Sequence, residues 1–146
     1  MREPVIRILT AAHKKTGAPQ NRYIRLVQAG AAVAAERLPG MLHDDEGENI
    51  SERNRSYCEL TVQYFAWKNL DADYYGFFHY CRYMDFSREY PPGGTRGWKD
   101  RKRPAPYVLT GSRQGNMSGA VLDETRIQAA AEKYDVITVL GEYMNV

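Results

Sequence analysis

Two short apolar runs, separated by segments of helical character, constrain the fold of this chain more than any other feature. Residues 5–11 follow Pro4 and mix β-branched residues with one arginine, and residues 74–84 are apolar on both faces. Runs of this kind predict strands, and the second predicts a central strand that is covered on both sides. Because candidate helices lie between the two runs, we expect an α/β fold with a largely parallel sheet.

The chain between these runs predicts two helices. Residues 26–38 are rich in alanine and end before a Pro-Gly pair, which is typical of a helix that stops at proline. Ser51 predicts the N-cap of a second helix over residues 51–69, with Glu52 in its first turn. On this second helix we expect Leu60, Tyr64 and Trp67 to pack inward.

The remaining segments predict loops, one more helix and one more strand within a single domain over residues 1–146. Residues 13–21 and the acidic residues 44–48 are expected to form solvated loops. Residues 90–116 hold several Pro and Gly residues and a basic run, and a loop of that length inside a domain is usually a functional lid or a disordered segment. Asp123 predicts the cap of a helix over 123–134, followed by a strand over 135–140.

Composition excludes several classes of protein. The formal net charge is +2, from 20 basic and 18 acidic residues, so no global charge excess indicates a nucleic-acid-binding protein. The two cysteines, Cys58 and Cys81, fit neither a disulfide scaffold nor a zinc site, and we expect them to be reduced. No apolar run approaches the roughly 18 residues that span a bilayer, and no signal peptide opens the chain. We therefore expect a cytoplasmic protein.

Polar and aromatic side chains dominate residues 49–83, where a core would need Leu, Ile and Val. The Tyr, Trp, Asn, His and Arg residues of this stretch combine ring faces with hydrogen-bonding tips. Such side chains are typical of sites for sugars and nucleotides, so we expect this stretch to bind a polar ligand.

Four ordered motifs carry a resemblance to a known family. They are His13-Lys14 after the first strand, an Asn-Ile-Ser loop within residues 44–51, the Tyr-Cys-Glu-Leu-Thr helix within 57–69, and a His-Tyr-x-Arg-Tyr strand end within 76–83. Together they resemble a glycosyltransferase-like domain of unknown function found in bacterial capsular and exopolysaccharide biosynthesis proteins. The family pattern differs at Phe65, Cys81 and Met84. That domain continues beyond the end of this chain, so we expect its sheet to be incomplete at the C-terminus.

The resemblance implies a GT-A-like nucleotide-sugar-binding fold and an activity. It implies transfer of a sugar from a nucleotide-sugar donor, expected to be UDP-linked, to a glycan or lipid-linked acceptor, at the cytoplasmic side of the inner membrane and with peripheral membrane contact. In such folds a central strand ends at the donor diphosphate, usually in Asp-x-Asp with a divalent metal. Here no Asp-x-Asp motif supports Mn²⁺ or Mg²⁺, and we predict no metal ligands. The alternative is a truncated, noncatalytic carbohydrate- or nucleotide-binding remnant.

The strand end offers a substitute for the metal. A departing diphosphate needs fixed cations or hydrogen-bond donors. Arg82 is predicted to bind phosphate in bidentate fashion and His79 to donate a second hydrogen bond. The alternative is that Arg82 pairs with a carboxylate inside the fold while His79 is a satisfied core histidine. Glu59, among aromatic residues, is the predicted general base, although such a Glu is more often structural or exposed, and Asp85 is the second predicted catalytic carboxylate.

Seven further residues are predicted to bind substrate: His13, Lys14, Asp45, Asn49, Asn54, Tyr57 and Trp67. Lys14 is predicted to reach a phosphate, although a His-Lys pair after a strand is usually solvated. Asp45 and Asn49 are predicted to approach a sugar or ribose hydroxyl unless their loop is merely solvated. Trp67 would stack on a sugar ring, although an aromatic residue at helical spacing is more often part of a core. The basic run at residues 99–103 favours a solvated loop first and an anionic acceptor or membrane second, and we expect no nucleic-acid partner.

Overall fold

The structure is a computed structural model, and it describes residues 2–80, 82–84, 86, 107–109 and 123–137. The chain divides into two units, Met1–Cys81 and Arg82–Val146.

The first unit is built on a parallel sheet of four strands, which are β1 (Ile6–Ala12), β2 (Ile24–Gln28), β3 (Leu42–His43) and β4 (Tyr74–His79). Their spatial order is β3-β2-β1-β4, with β1 paired in parallel to both β2 and β4. All residues of β1 except Arg7 are buried, as expected for a strand with a neighbour on each side. The predicted α/β class with a parallel sheet is confirmed, and β1 begins one residue later than predicted.

The predicted helix over residues 26–38 is wrong. Its first residues belong to β2, and only a single 3-10 turn, Ala31–Val33, follows. Ile24 and Val27 are fully buried in β2, and Gly30 leaves the strand direction with a left-handed φ of 68°. The helical preference of the alanines is weak, and burial of β-branched side chains against β1 outweighs it.

The predicted helix over residues 51–69 is interrupted. It consists of a 3-10 turn, Ser51–Arg53, then α1 (Asn54–Tyr57) and α2 (Leu60–Asn69). Between α1 and α2 the backbone of Cys58 has φ 48° and ψ −127°, which a side-chain-bearing residue rarely adopts. Both backbone polar groups of Cys58 bind Asn54: the Cys58 N–H donates to the Asn54 carbonyl at 2.8 Å, and the Asn54 side-chain amide donates to the Cys58 carbonyl at 2.9 Å. Asn54 therefore holds the interruption in place.

Ser51 is not the N-cap that the sequence predicts. Ile50 occupies the cap position, without a side-chain hydrogen bond. The Ser51 hydroxyl instead accepts a hydrogen bond from the Ala32 N–H at 3.0 Å and donates to Asp44 at 2.5 Å. The hydrogen bond from Ser51 to the buried Asp44 therefore replaces the hydrogen bond that an N-cap side chain would make at the start of its own helix.

The inward face of α2 is also different from the predicted one. Val62, Phe65 and Ala66 are buried against Leu9 and Val27 of the sheet. The prediction that Leu60, Tyr64 and Trp67 pack inward is wrong, because Leu60 is 51% and Trp67 67% exposed and Tyr64 is only partly buried. The reason lies at the start of α2, where the Thr61 hydroxyl binds the buried Asp44 and so turns the Thr61 side of the helix inward.

Strand β4 is shorter and less covered than predicted. It ends at His79, and Tyr75 and Phe77 on one face are 41% and 39% exposed while Phe78 is buried. The prediction of a strand covered on both faces is therefore wrong for β4. The main chain continues along β1 for one more hydrogen bond, from the Tyr80 N–H to the Ala11 carbonyl at 3.1 Å.

The second unit contains β5 (Arg82–Met84) paired antiparallel to β6 (Tyr107–Leu109), and α3 (Glu124–Lys133). The Asp123 carboxylate accepts a hydrogen bond from the Arg126 N–H at 3.1 Å, which confirms the predicted cap. Within the predicted loop over 90–116, residues 107–109 form a strand and the rest lies outside the described residues. Of the predicted strand over 135–140, the three described residues are not in a strand. In the described part of the chain no helix is long and apolar enough to cross a membrane.

Candidate functional site

A cleft of about 170 Å³ lies where β1 and β4 end. Four predicted site residues line it, namely His13, Asn54, Glu59 and His79. Loops and helix starts converge at the carboxyl ends of parallel strands, which is why ligands of open α/β folds bind there. The sequence therefore brings together, in one place, candidate residues that are up to 66 positions apart in the chain.

Small side chains leave space for the cleft at this end of the sheet. Ala11 and Ala12 at the end of β1, with Ala29 after β2, form part of the wall. Each contributes only a methyl group, so space remains beside the polar side chains that follow the strands. The chain after β1 runs without helix or strand through residues 13–21, as the sequence predicts, and His13 is the first residue of this segment.

The Tyr80 ring lies beside three basic side chains, of which His13 and His79 line the cleft and Lys14 is the residue after His13. The centre of the Tyr80 ring lies 4.3 Å from the centre of the His79 ring and 5.3 Å from the centre of the His13 ring, to which it is oriented edge to face. The Lys14 ammonium lies 5.3 Å from the centre of the same ring, within cation–π range. Two imidazoles and one ammonium are therefore held around a single aromatic side chain, and together they offer an anion several N–H donors.

Glu59 faces this basic group from the start of α2. Its Oε1 atom lies 3.6 Å from His79 Nε2, which is an ion-pair contact and longer than an ordinary hydrogen bond. The Glu59 side chain is 53% exposed, so the expectation that aromatic residues enclose it is wrong. The interruption at Cys58 projects this residue out of the helix start and toward solvent. A carboxylate beside an imidazole at the mouth of a cleft can take up a proton from an incoming hydroxyl.

Asn54 is fixed by three contacts. Its side-chain amide nitrogen donates to the Cys58 carbonyl at 2.9 Å and to the Thr61 hydroxyl oxygen at 3.0 Å. On the other side it packs on Gly30, where an added Cβ would lie 2.7 Å from Asn54 Cγ. Only glycine fits at position 30, because a side chain would collide with Asn54 and because the φ of 68° disfavours one.

Asp44 is the residue that sequence reasoning missed. It was expected in a solvated loop, yet it is fully buried. Its Oδ2 atom accepts from the Gly30 N–H at 2.7 Å and the Thr61 hydroxyl at 2.5 Å, and its Oδ1 atom accepts from the Ala31 N–H at 2.9 Å and the Ser51 hydroxyl at 2.5 Å. The available signal is its place at the start of residues 44–51, the stretch that carries one of the four family motifs.

The structure places Asp45 and Asn49 in their own loop. Asp45 Oδ2 accepts from Arg37 at 2.6 Å, and Asp45 Oδ1 is buried without a hydrogen-bond partner among the described residues. The Asn49 amide donates to the carbonyls of Asp45 and Gly47, both at 2.9 Å. These contacts shape the turn between β3 and the first helical segment. Contact of Asp45 or Asn49 with a ligand hydroxyl stays a prediction.

Tyr57 and Trp67 lie in a different place from the histidines. They line a groove of about 480 Å³ on the outer side of α2, together with Leu60, Tyr64 and Phe77. The groove is predominantly apolar, and neither aromatic residue lines the cleft. The role of Trp67 in stacking on a sugar stays a prediction, whereas its alternative as a core residue is excluded by its exposure.

The side chains with perturbed pKa values near this groove lie away from the cleft. The Tyr64 hydroxyl donates to Glu48 at 2.8 Å, and the Lys68 ammonium lies 3.1 Å from the same carboxylate. The hydrogen bond from Tyr64, followed by that from Lys68, lowers the pKa of Glu48 below its usual range. The same hydrogen bond to Glu48 raises the pKa of Tyr64. This cluster joins the loop after β3 to α2.

The remaining predicted residues are described in part or not at all. Arg82 begins β5, but its side chain lies outside the described residues, as do Asp85 and Cys81. The proposed phosphate contacts of Arg82 and the catalytic role of Asp85 stay predictions. Cys58 carries a free and exposed thiol. In the described part of the chain, no cluster of three or more His, Cys, Asp or Glu side chains is arranged to hold a metal ion.

Comparison with known proteins gives a family and one solved relative. The model of a family described as "Domain of unknown function (DUF4422)" matches residues 7–145. The chain is similar to the structure titled "WbbM bifunctional glycosytransferase apo structure", with 37% sequence identity and a TM-score of 0.55. The match covers 64% of this chain and 16% of that chain, so this chain spans only a small part of that relative. No curated protein matches the chain.

Proposed function

The chain belongs to that family of unknown function, and we propose that it is a glycosyltransferase domain that binds a nucleotide-sugar donor in the cleft at the ends of β1 and β4. The observation that carries the proposal is the gathering of His13, Lys14 and His79 around one tyrosine at the edge of the sheet where α/β folds bind their ligands. The similarity to a glycosyltransferase supports the same reaction class.

The basic residues of the cleft fit the leaving group of such a reaction. Transfer of a sugar leaves negative charge on a nucleoside diphosphate, and fixed cations and N–H donors stabilise that charge. We propose this role for Lys14, His13 and His79. From the sequence alone, Arg82 is also proposed to bind phosphate in bidentate fashion. Sites for drug-sized ligands measure about 300–1,000 Å³. The described cleft, at about 170 Å³, therefore suits one part of the donor, such as its diphosphate or its sugar ring.

Glu59 is the proposed general base. Its exposure leaves it accessible to the hydroxyl of an acceptor that approaches from solvent, and its contact with His79 orients it at the cleft. Asp85 is the second proposed carboxylate. The donor is proposed to be a UDP-sugar and the acceptor a glycan or lipid-linked glycan in capsular or exopolysaccharide biosynthesis, at the cytoplasmic face of the membrane.

A noncatalytic binding domain is the second candidate. The small volume of the described cleft favours it, because a site that holds only a diphosphate or a sugar ring can bind without catalysing transfer. Release of the nucleoside diphosphate in the presence of an acceptor separates the two candidates. Binding of a nucleotide sugar without any turnover would favour the binding domain.

The proposal is tested by calorimetric titration of the chain with a panel of nucleotide sugars, UDP-sugars first, with and without Mn²⁺. Lys14→Ala is expected to weaken binding about tenfold, equivalent to about 1.4 kcal/mol. Lys15→Ala is the matched control, because it removes the same charge at the neighbouring position, whereas among the described residues the lysine that lies over the Tyr80 ring is Lys14. Absence of binding by the unmodified chain, or equal losses in both variants, would contradict the proposed site.

A further inference from the structure

The orientation of the Asn54 side chain is determined by what surrounds it. The Cys58 carbonyl can only accept a hydrogen bond, so the Asn54 atom 2.9 Å from it is the amide nitrogen and not the oxygen. The same nitrogen lies 3.0 Å from the Thr61 hydroxyl oxygen. The two amide protons therefore have two partners within the protein if Thr61 acts as an acceptor.

Asp44 makes Thr61 an acceptor toward Asn54. The Thr61 hydroxyl has one proton and lies 2.5 Å from Asp44 Oδ2 and 3.0 Å from the Cys58 carbonyl. The shorter contact is to a carboxylate oxygen, which binds a hydroxyl proton more strongly than a carbonyl does. With its proton on Asp44, the Thr61 oxygen accepts from Asn54. Hydrogen bonds then run in one direction, from Asn54 to Thr61 to Asp44.

We propose that Asn54 serves the cleft only as a hydrogen-bond acceptor, through its Oδ1 atom, and thereby selects a hydroxyl of the ligand rather than a phosphate. This rests on the proposed function of the cleft. Both donor protons are committed inside the protein, and no described residue donates to Oδ1 in the hydrogen bonds of this region. A phosphate oxygen offers only lone pairs and is repelled by an amide oxygen, whereas a ribose or sugar hydroxyl donates to it.

Asp44 and Thr61 are the positioning residues of this arrangement. Asp44 accepts hydrogen bonds from the two residues that flank the Asn54 side chain. One is Gly30, which packs on the Asn54 amide, and the other is Thr61, whose hydroxyl oxygen accepts the Asn54 hydrogen bond. Because Asp44 is fully buried, solvent does not compete for these bonds. Asn54 is therefore held from both sides before any ligand arrives.

The ligand part of the proposal is tested with three probes: UDP-glucose, UDP and inorganic pyrophosphate. Asn54→Ala is expected to weaken UDP-glucose binding about tenfold, while pyrophosphate affinity changes less than about twofold, since pyrophosphate has no sugar or ribose hydroxyl. A loss confined to UDP-glucose identifies a sugar hydroxyl, and a tenfold loss with UDP as well that is absent with 2′-deoxy-UDP or 3′-deoxy-UDP identifies a ribose hydroxyl rather than the uracil N–H. Equal losses for UDP-glucose and pyrophosphate, or no loss with either, would overturn the proposal.

The role of Thr61 and Asp44 in positioning Asn54 is tested with three variants, of which only Thr61→Val removes the contact to Asn54. Thr61→Val keeps the shape but lacks the hydroxyl, Thr61→Ser restores it, and Ser51→Ala deletes a hydroxyl that binds Asp44 at the same 2.5 Å but does not touch Asn54. Thr61→Val is expected to shift the Asn54 side-chain amide signals in ¹⁵N NMR spectra and to weaken UDP-glucose binding about tenfold. Thr61→Ser and Ser51→Ala should leave both unchanged.

Two outcomes would overturn this assignment of Asp44 and Thr61. One is unshifted Asn54 amide signals in Thr61→Val, and the other is an equal loss of affinity in Thr61→Val and Ser51→Ala, which would indicate a general loss of stability. If the unmodified chain binds no nucleotide sugar, the proposed function fails and hydroxyl selection fails with it. The amide signals, which need no ligand, still decide whether Thr61 sets the orientation of Asn54.

Discussion

Asp44→Asn is expected to destabilise the fold far more than a substitution in a solvated loop would, because Asp44 is fully buried. Each Asp44 oxygen accepts one backbone N–H and one hydroxyl. An amide in its place turns one acceptor into a donor that faces the N–H of Gly30 or Ala31. The hydroxyl on that side can rotate to accept, but the backbone N–H cannot, so one buried donor is left without a partner.

The magnitude follows from that single lost bond. A buried donor without a partner costs about 1–3 kcal/mol, and hydrogen bonds to a carboxylate lie toward the upper end. Asp44→Ala leaves all four donors without their acceptor, and it is expected to cost at least about 4 kcal/mol. That is a large part of the roughly 5–15 kcal/mol that stabilises a typical domain.

The assay is urea unfolding of the full chain, with the free energy of unfolding extrapolated to water. Asp45→Asn is the matched control, because the Asp45 side chain, itself 18% exposed, pairs with an Arg37 side chain that is 53% exposed, and a pair with an exposed partner contributes about 0–1 kcal/mol. Equal losses of stability in Asp44→Asn and Asp45→Asn would refute the reasoning. So would a loss in Asp44→Ala no larger than that in Asp44→Asn.

Three further predictions concern other parts of the chain. Arg82→Ala should weaken nucleotide-sugar binding by about 1.5–3 kcal/mol with an unchanged melting temperature if Arg82 binds the diphosphate, whereas unchanged affinity with a large fall in melting temperature would mark a structural ion pair. The pKa of Glu48 is lowered in the fold from 4.5, so its contribution to stability is present above that pH and lost as the pH falls through the folded value. Glu48→Gln should therefore be less stable than the unmodified chain at neutral pH in urea unfolding, and this difference should shrink as the pH falls below 4.5; a difference that stays constant with pH would contradict this. Mass spectrometry of the non-reduced protein should find Cys58 and Cys81 unbridged, and a disulfide between them would disprove this.

Local patterns predicted the parts of the fold that depend on neighbouring residues. The apolar run of β1, the Asp123 cap of α3 and the loop after β1 are each set by a few consecutive side chains, and the structure has all three. The family resemblance marks His13 as a site candidate, and His79 is predicted at the end of the second strand; the structure places both in one cleft, because parallel strands bring their carboxyl ends together.

The parts that the sequence did not reveal depend on distant contacts. Asp44 looks like a loop residue until it meets Thr61, 17 positions away, and the Gly30 N–H, 14 positions away. Those contacts interrupt the predicted helix near Cys58 and decide which face of α2 is buried. The alanines after β2 indicate a helix, and only pairing with β1 makes a strand of the residues before them. Such choices belong to tertiary packing, which single-sequence patterns do not contain.

The measurement that tests the central claim most directly is the rate at which iodoacetamide alkylates Cys58, followed by mass spectrometry of the peptide that carries it. Cys58 is an exposed, free cysteine and one of the residues that line the cleft, so we expect a ligand in the cleft to shield its thiol. At a nucleotide-sugar concentration about ten times its Kd, the rate should fall about tenfold, because only about a tenth of the protein is then free. If calorimetry shows that the nucleotide sugar binds while Cys58 is alkylated at an unchanged rate, the donor site lies elsewhere and the assignment of the cleft is wrong.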